Sequence, residues 1–345
     1  MREIYLPLHS GKAPLWLLNK MKKLAFPIVK LIISEYGEKE FLERISNPIF
    51  FQSLSNVLGF DWNSSGSTTV LTSVLKFVLN RPDFGIRIAG GKGSTALKTP
   101  EEVKKYSKEI GADGELIVKF SRLAAKSDNC ALIDGYTIYH HTVIFSEKYM
   151  TVVQQGMNPS TKMARRYHWR VFRKLPTIEE IHGGIISNRK ELEVINMPSK
   201  DSREARRTCV DIIRDGNMRR EFRKLSGLLG VRGKLVIPRK INWDAVERAY
   251  DLQPEKFEDL LLVRGIGRET IRALALISDL IYNVEYDRQD PVKYSFAVGG
   301  KDGVPFPVRR DIYDEVIEFM EEVVRQTSLG EYEKLRILKR LRSWK

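Results

Sequence analysis

The chain contains five histidines, and two of them stand side by side as His140-His141 in a stretch rich in Tyr, Ile, Val and Thr. Asp128, Asp134, Glu147, Gln154 and Gln155 fall on or beside the same stretch, which reads as two neighbouring strands over 131–140 and 142–154. Carboxylates presented on strands could hold magnesium or manganese, and Lys or His could move protons at a phosphodiester. Successive strand residues point to opposite faces, so only one of His140 and His141 can share a site with its strand neighbours. His9 ends another expected strand over 1–9 and could join that site. A His–His–Lys group would carry out acid–base chemistry without a metal, but each histidine could equally be a hydrogen-bonded structural residue. A restriction-like nuclease presents Asp and then Glu-x-Lys on its strands. Here Lys148 directly follows Glu147 and Tyr149 stands at the lysine position, so that fold is not assigned.

Lysine follows glycine in three loops, at Gly11-Lys12, Gly91-Lys92 and Gly300-Lys301. Glycine uncovers backbone amides and lysine adds a mobile charge, a combination that can cradle a phosphate or simply make a turn. None of the three completes the Gly-x4-Gly-Lys-Ser/Thr pattern, which argues against an ATPase. Lys12 and Lys92 both follow expected strands, and strand ends on one side of a sheet can converge. Asp61 either caps the helix that follows it or faces the same site. The candidate catalytic set is therefore His9, Lys12, Asp61, Lys92, His140, His141 and Gln155.

A second group of residues suits binding. Residues 257–274 read as a helix, the turn Arg264-Gly265-Ile266-Gly267-Arg268, and a second helix that begins at once with Thr270 in its first turn. This looks like a helix-hairpin-helix DNA-binding motif. Two glycines permit a sharp turn and close backbone approach, and amides at a helix N-terminus suit a backbone phosphate. Such a contact reads phosphate and not base sequence. The alternative is a tight turn between packed helices. Upstream, Arg203, Arg207 and Arg214 recur at spacings of four and seven, on one helix face, with Arg206 beside them. They form either a phosphate track or a solvated face. With Lys301, these residues make up the candidate DNA-binding set. Tyr167, His168 and Trp169, set among arginines, could stack unpaired bases or pack between domains.

The hairpin also invites comparison with base-excision DNA glycosylases. In those with lyase activity, a catalytic lysine lies two residues beyond the second glycine. Glu269 occupies that position here, and neither Asp287 nor Asp290 fits the register of the aspartate those enzymes use further on. Over nearly its whole length the chain resembles a family of uncharacterised prokaryotic proteins, frequent in thermophilic archaea and known only as a domain of unknown function. The resemblance rests on Leu6-Pro7-Leu8-His9-Ser10-Gly11-Lys12-Ala13-Pro14, Gly59-Phe60-Asp61-Trp62, Ala89-Gly90-Gly91-Lys92-Gly93, Val153-Gln154-Gln155-Gly156-Met157-Asn158, and Phe296-Ala297-x-Gly299-Gly300-Lys301-Asp302-Gly303. It implies no catalytic assignment.

The elements that must position these residues follow from pattern and composition. The fold class reads as α+β. Residues 1–160 make a small mixed sheet with helices and host the chemistry, 161–198 form a basic connecting segment, and 199–345 form an all-helical domain containing the hairpin. Helices are expected over 14–36 (closed by Gly37), 38–45, 48–58 and from about 64 to 80. A capping box at Thr99-Pro100-Glu101-Glu102 starts another, and one more covers 113–126. In the second half helices fit 201–215, 217–228, 242–250, 255–262, 268–283, 310–327 and 330–343. At 345 residues with 42% hydrophobic content, the chain can bury a core, so wholesale disorder is excluded. No run of 18 apolar residues occurs, which speaks against a membrane partner. The N-terminus lacks a signal-peptide layout, and two cysteines, Cys130 and Cys209, suit a reducing cytoplasm.

The net charge of +14 is concentrated: residues 162–240 hold 21 Lys and Arg against 9 Asp and Glu, a net +12. That bias points to a polyanionic partner. The expected function is DNA processing, as a repair endonuclease or exonuclease acting on single-stranded, damaged or structured DNA. The alternatives are a non-catalytic repair or architectural DNA-binding protein and a glycosylase without the lyase lysine. RNA remains open as the ligand.

Overall fold

A computed structural model describes residues 13–294 except 14, 61–64, 188, 229–236 and 239, together with residue 325. His9, Lys12, Asp61, Lys301, the strand expected over 1–9 and the helices expected over 310–343 lie outside the described residues. The first helix, α1 (Leu15–Ser46), carries Pro27 inside it and is broken at Gly37, whose φ of 82° and ψ of 168° are not helical. Gly37 thus separates two helical stretches at the expected place. Asn47 caps α2 (Pro48–Val57), its side-chain oxygen accepting from the amide of Ile49 at 2.8 Å, and Pro48 takes the first helical position. Helix α3 (Ser65–Leu79) follows.

Strand β1 (Arg87–Lys92) leads through α4 (Ser94–Leu97) into α5 (Thr99–Ile110) and α6 (Gly114–Lys126). The capping box expected at Thr99 does not form. Thr99 lies inside α5, and Glu102 instead accepts from Lys76 Nζ at 2.7 Å and from the amide of Gly90 at 2.7 Å. A tertiary contact to α3 and β1 replaces the local one and fixes the end of β1 that carries Gly91 and Lys92. Helix α6 runs directly into a π-turn over Ser127–Ala131.

Strands β3 (Thr137–Phe145), β4 (Met150–Met157), β5 (Ala164–Trp169) and β6 (His182–Ile186) complete a five-stranded sheet in the order β1-β3-β4-β5-β6. Every pairing among them is antiparallel, so the sheet is not of the mixed kind expected. Short strands β2 (Leu132–Ile133) and β7 (Ile195–Asn196) pair separately. The segment 161–198 is therefore not a connector. It supplies β5 and β6, and two of the cations that make it basic, Arg165 and Arg166, are buried strand residues.

Helices cover both faces of the sheet. One face packs Ile88, Ile144 and Val153 against α1–α3. The other packs Ala89, Val143, Val152 and Trp169 into a core shared with α5, α6 and the helices of the second half. Those are α7 (Arg203–Arg214), α8 (Met218–Gly227), α9 (Trp243–Leu252), α10 (Phe257–Leu262) and α11 (Arg268–Leu280). One core thus crosses the boundary expected at residue 198. Polar ties reinforce it: Glu258 Oε1 accepts from the amide of Ile178 at 2.7 Å, and Lys126 Nζ donates to the carbonyl of Ile266. No helix among the described residues is long and apolar enough to cross a membrane.

Candidate functional site

Four polar residues face one another across four strands. Lys92 of β1 pairs in register with His140 of β3, His140 with Gln155 of β4, and Gln155 with Arg166 of β5. With adjacent strands about 4.8 Å apart, the row spans roughly 14 Å at one end of the sheet. It lies on the face covered by α1–α3. Thr68 and Thr72, one turn apart on α3, reach it: Thr72 Oγ1 is 3.1 Å from His140 Nε2, and Thr68 Oγ1 donates to Gln155 Oε1. A register shift between Ile138 and His140 adds one residue to β3, and that residue is Tyr139. The bulge brings Tyr139 onto the row beside His140. Its hydroxyl accepts from Gln155 Nε2, and Lys92 Nζ stands 5.8 Å from its ring centre.

The protonation state of His140 follows from its partners. Thr72 Oγ1 gives its hydrogen to the carbonyl of Thr68 at 2.7 Å, so it accepts from His140 Nε2. The Nδ1 lone pair is then bare, and Nδ1 has no hydrogen-bond partner among the described residues although the residue is only 1% exposed. Burial, with the charges of Lys92 and Lys76 nearby, pushes its pKa down to about 3. His140 is a neutral imidazole with a free acceptor. Arg166 is also buried, and desolvation lowers its pKa to about 9.

His141 goes to the other face, as strand alternation requires. Its Nδ1 lies 2.8 Å from Gln154 Oε1 and its Nε2 lies 2.7 Å from Ser121 Oγ. Gln154 Nε2 donates to Asp128 Oδ2 at 2.6 Å, and Asp128 also accepts from Trp169 Nε1 and bonds His182 Nε2. Gln154 uses its amide as the donor to Asp128, so its carbonyl must accept from His141 Nδ1, which leaves Nε2 to accept the Ser121 hydroxyl. This directed chain is buried and satisfied along its length. It locks the π-turn to the sheet and takes His141 and Asp128 away from the row. The structure thus brings together Lys92, His140 and Gln155 and separates them from His141.

The binding candidates also divide. Between α10 and α11, Arg264 and Gly265 are exposed, and Gly265 has a φ of 92°, a left-handed conformation that favours glycine. A Cβ there would come within 2.9 Å of Ala245, Arg248 and Asn242. Gly267 is different. Its φ of −132° suits any residue, and a Cβ would meet nothing nearer than 4.0 Å. Among the described residues no acceptor bonds the amides of Gly267, Arg268 or Glu269 at the start of α11. Arg268 does not face outward. Its Nε donates to the carbonyl of Asn129 at 2.7 Å, and its Nη2 donates to Asn129 Oδ1 and to the carbonyl of Tyr136. Thr270 is buried. This brace ties the hairpin to the start of β3. His140 lies four residues along that strand, roughly 13 Å away.

On α7, Arg203 and Arg206 both pair with Glu179, and Arg206 is buried, donating to the carbonyls of Met197 and Ser199. Arg207 pairs with Glu204 on the helix surface, and Arg214 is exposed. The four do not form one outward track. Tyr167 and Trp169 are core residues, and His168 is buried edge-on against Phe51. Asp290 is bound to Arg165 at 2.7 Å inside the protein, and Asp287 to Asn196.

Sequence reasoning missed Tyr139, Arg166, Thr68 and Thr72. The two threonines sit at i and i+4 on one face of α3, a signal available in the sequence, whereas the bulge at Tyr139 has none. Among the described residues no group of three or more His, Cys, Asp or Glu is placed to hold a metal ion, so nothing in this arrangement adds support to the magnesium or manganese expectation. No curated protein and no solved structure matches the chain. The match to a known family spans residues 3–308, and on it the chain belongs to the family described as "Protein of unknown function (DUF763)".

Proposed function

We propose that this protein binds DNA through the α10–α11 turn, acting as a helix-hairpin-helix, and processes phosphodiesters at the Lys92–His140–Gln155 row as a repair nuclease. Gly267 carries the reading: it is a glycine that neither its backbone angle nor its neighbours require. Its amide opens a helix of 13 residues, where a phosphate would be bonded and a side chain would obstruct its approach. Exposed Arg264 adds charge beside it. The hairpin and the polar row stand near the same end of β3, so one strand of nucleic acid could engage both.

The contrast between the two glycines tests the binding half. Gly267→Ala should leave the melting temperature within a few degrees of wild type and weaken DNA binding about tenfold or more, read by fluorescence anisotropy. Gly265→Ala should lower stability. If Gly267→Ala binds as tightly as wild type, the hairpin reading falls. The catalytic half is tested on nicked, flapped, abasic and deaminated duplexes and single strands, with and without divalent metal. Cleavage of none would leave a DNA-binding protein without catalysis. One observation favours that second reading: a histidine held at a pKa of about 3 is a weak base. Matched RNA substrates decide between the two nucleic acids.

A further inference from the structure

Four arginines are buried among the described residues: Arg87, Arg165, Arg166 and Arg206. Three have a carboxylate. Arg87 pairs with Glu109 at 3.0 Å, Arg165 with Asp134 at 2.9 Å and Asp290 at 2.7 Å, and Arg206 with Glu179. Arg166 has none among the described residues. It is 6% exposed, and its hydrogen bonds go to neutral acceptors at the long end of the range: Gln52 Oε1 at 3.3 Å, Thr68 Oγ1 at 3.4 Å and the carbonyl of Pro48 at 3.5 Å. Its Nε has no partner, and the guanidinium stands 4.6 Å from the ring centre of Phe51. An unpaired buried cation costs several kcal/mol. Arg165, the preceding residue, shows that distant parts of the chain bring two carboxylates to this strand where a guanidinium is to be neutralised within the fold.

Among the described residues, the surroundings of Arg166 are polar and include no acid bonded to it. Thr68 lies in the first turns of α3, whose N-terminus carries the positive end of the helix dipole. Gln155 and Lys92 continue the row on the same face. His140 Nδ1 has no partner among the described residues and could receive a hydroxyl hydrogen from a ligand. We propose that Arg166, with Thr68 and Gln155, is the binding site for a phosphoryl oxyanion. The guanidinium fork matches two oxygens of a tetrahedral phosphate, and the ligand supplies the counter-charge that the described residues do not. This deepens the nuclease reading by making the row a phosphate-holding site, and it rests on that reading for the claim that the phosphate belongs to nucleic acid.

The test uses the full chain and inorganic phosphate as the probe. Phosphate should raise the melting temperature of the wild type above that in chloride of equal ionic strength, following mass action. Arg166→Met should melt at or above the wild-type temperature in chloride, because a buried unpaired charge is gone, and should bind phosphate about 10- to 100-fold more weakly. Arg166→Lys keeps the charge and loses the fork, so it should fall between the two. Should Arg166→Met not fold, Thr68→Val supplies the same comparison. Equal stabilisation of wild type and variants by phosphate, or none of the wild type beyond chloride, would overturn the site. Competition by 5′-phosphorylated, 3′-phosphorylated and unphosphorylated oligonucleotides then separates a terminal phosphate, an internal phosphodiester and free phosphate as sources. The part of the phosphate effect that is lost in Arg166→Met should persist in Gly267→Ala. A phosphate effect that depends on Arg166 in a protein that does not bind DNA would sink the function and keep the site.

Discussion

His140, His141 and His168 are buried in one sheet, and burial lowers the pKa of all three. Their settings differ. His141 has both ring nitrogens engaged, whereas His140 Nδ1 and His168 Nε2 have no partner. A histidine whose folded pKa is depressed binds fewer protons folded than unfolded. Unfolding then takes up protons as the pH falls below the unfolded value near 6.5, and stability falls with it. For His140, with a folded pKa of about 3, the loss between pH 6.5 and 3 could reach roughly 5 kcal/mol. His141 and His168 act with the same sign. His140→Gln, which can still donate to Thr72 and cannot be protonated, should flatten the fall in denaturant midpoint over that interval by about one proton. An unchanged slope would mean that His140 is solvated and titrates near its ordinary value.

At the scale of elements, the α10–α11 turn separates two arginines that look equivalent in sequence. Arg264 and Arg268 flank the same Gly-Ile-Gly, yet Arg264 is exposed while Arg268 reaches back to Asn129 and Tyr136. Arg264→Ala should change stability by no more than about 0.5 kcal/mol and reduce the salt slope of DNA binding by about one unit. Arg268→Ala should lower stability by about 1–3 kcal/mol through the carbonyls it leaves unbonded, and should loosen the hairpin with no change in salt slope. Identical effects from the two would contradict this division. Periodicity made helices such as α9 and α11 legible because their apolar spacing reflects one buried face. Strand alternation likewise placed His140 and His141 on opposite faces, and that held. It could not show β5, where Arg165 and Arg166 alternate faces as buried cations, nor the bulge at Tyr139, which leaves no mark in residue type. Nor could it show Glu102 leaving its own helix terminus for Lys76 and Gly90. Each of these depends on a partner far away in sequence.

Across the whole molecule, the basic bias of residues 162–240 divides: most of its described cations are exposed, and a few are internal. Arg165, Arg166 and Arg206 are buried, and Arg203 shares Glu179 with Arg206. The buried arginines tie the segment expected as a connector into the sheet and its neighbours. Arg165 sits at the centre: it bridges Asp134 beside β2 and Asp290 beyond α11, stacks on Tyr136 at 4.3 Å, and Tyr167 donates to the same Asp134 carboxylate at 2.6 Å. The residues after α11 are thus tied back to the sheet, and the helices of both halves share its covered face. Asp290→Asn removes one of the two charges facing a fully buried guanidinium, a change worth about 3–5 kcal/mol where a buried pair is broken. If the halves were separate domains, that loss would shift one of two transitions. With a shared core, the variant should lower the midpoint of a single transition, and far-ultraviolet dichroism, which follows the helices of both halves, should move together with the tryptophan fluorescence, to which Trp169 on the sheet and Trp243 on α9 contribute. Two resolved transitions, with only one displaced, would restore the boundary at residue 198.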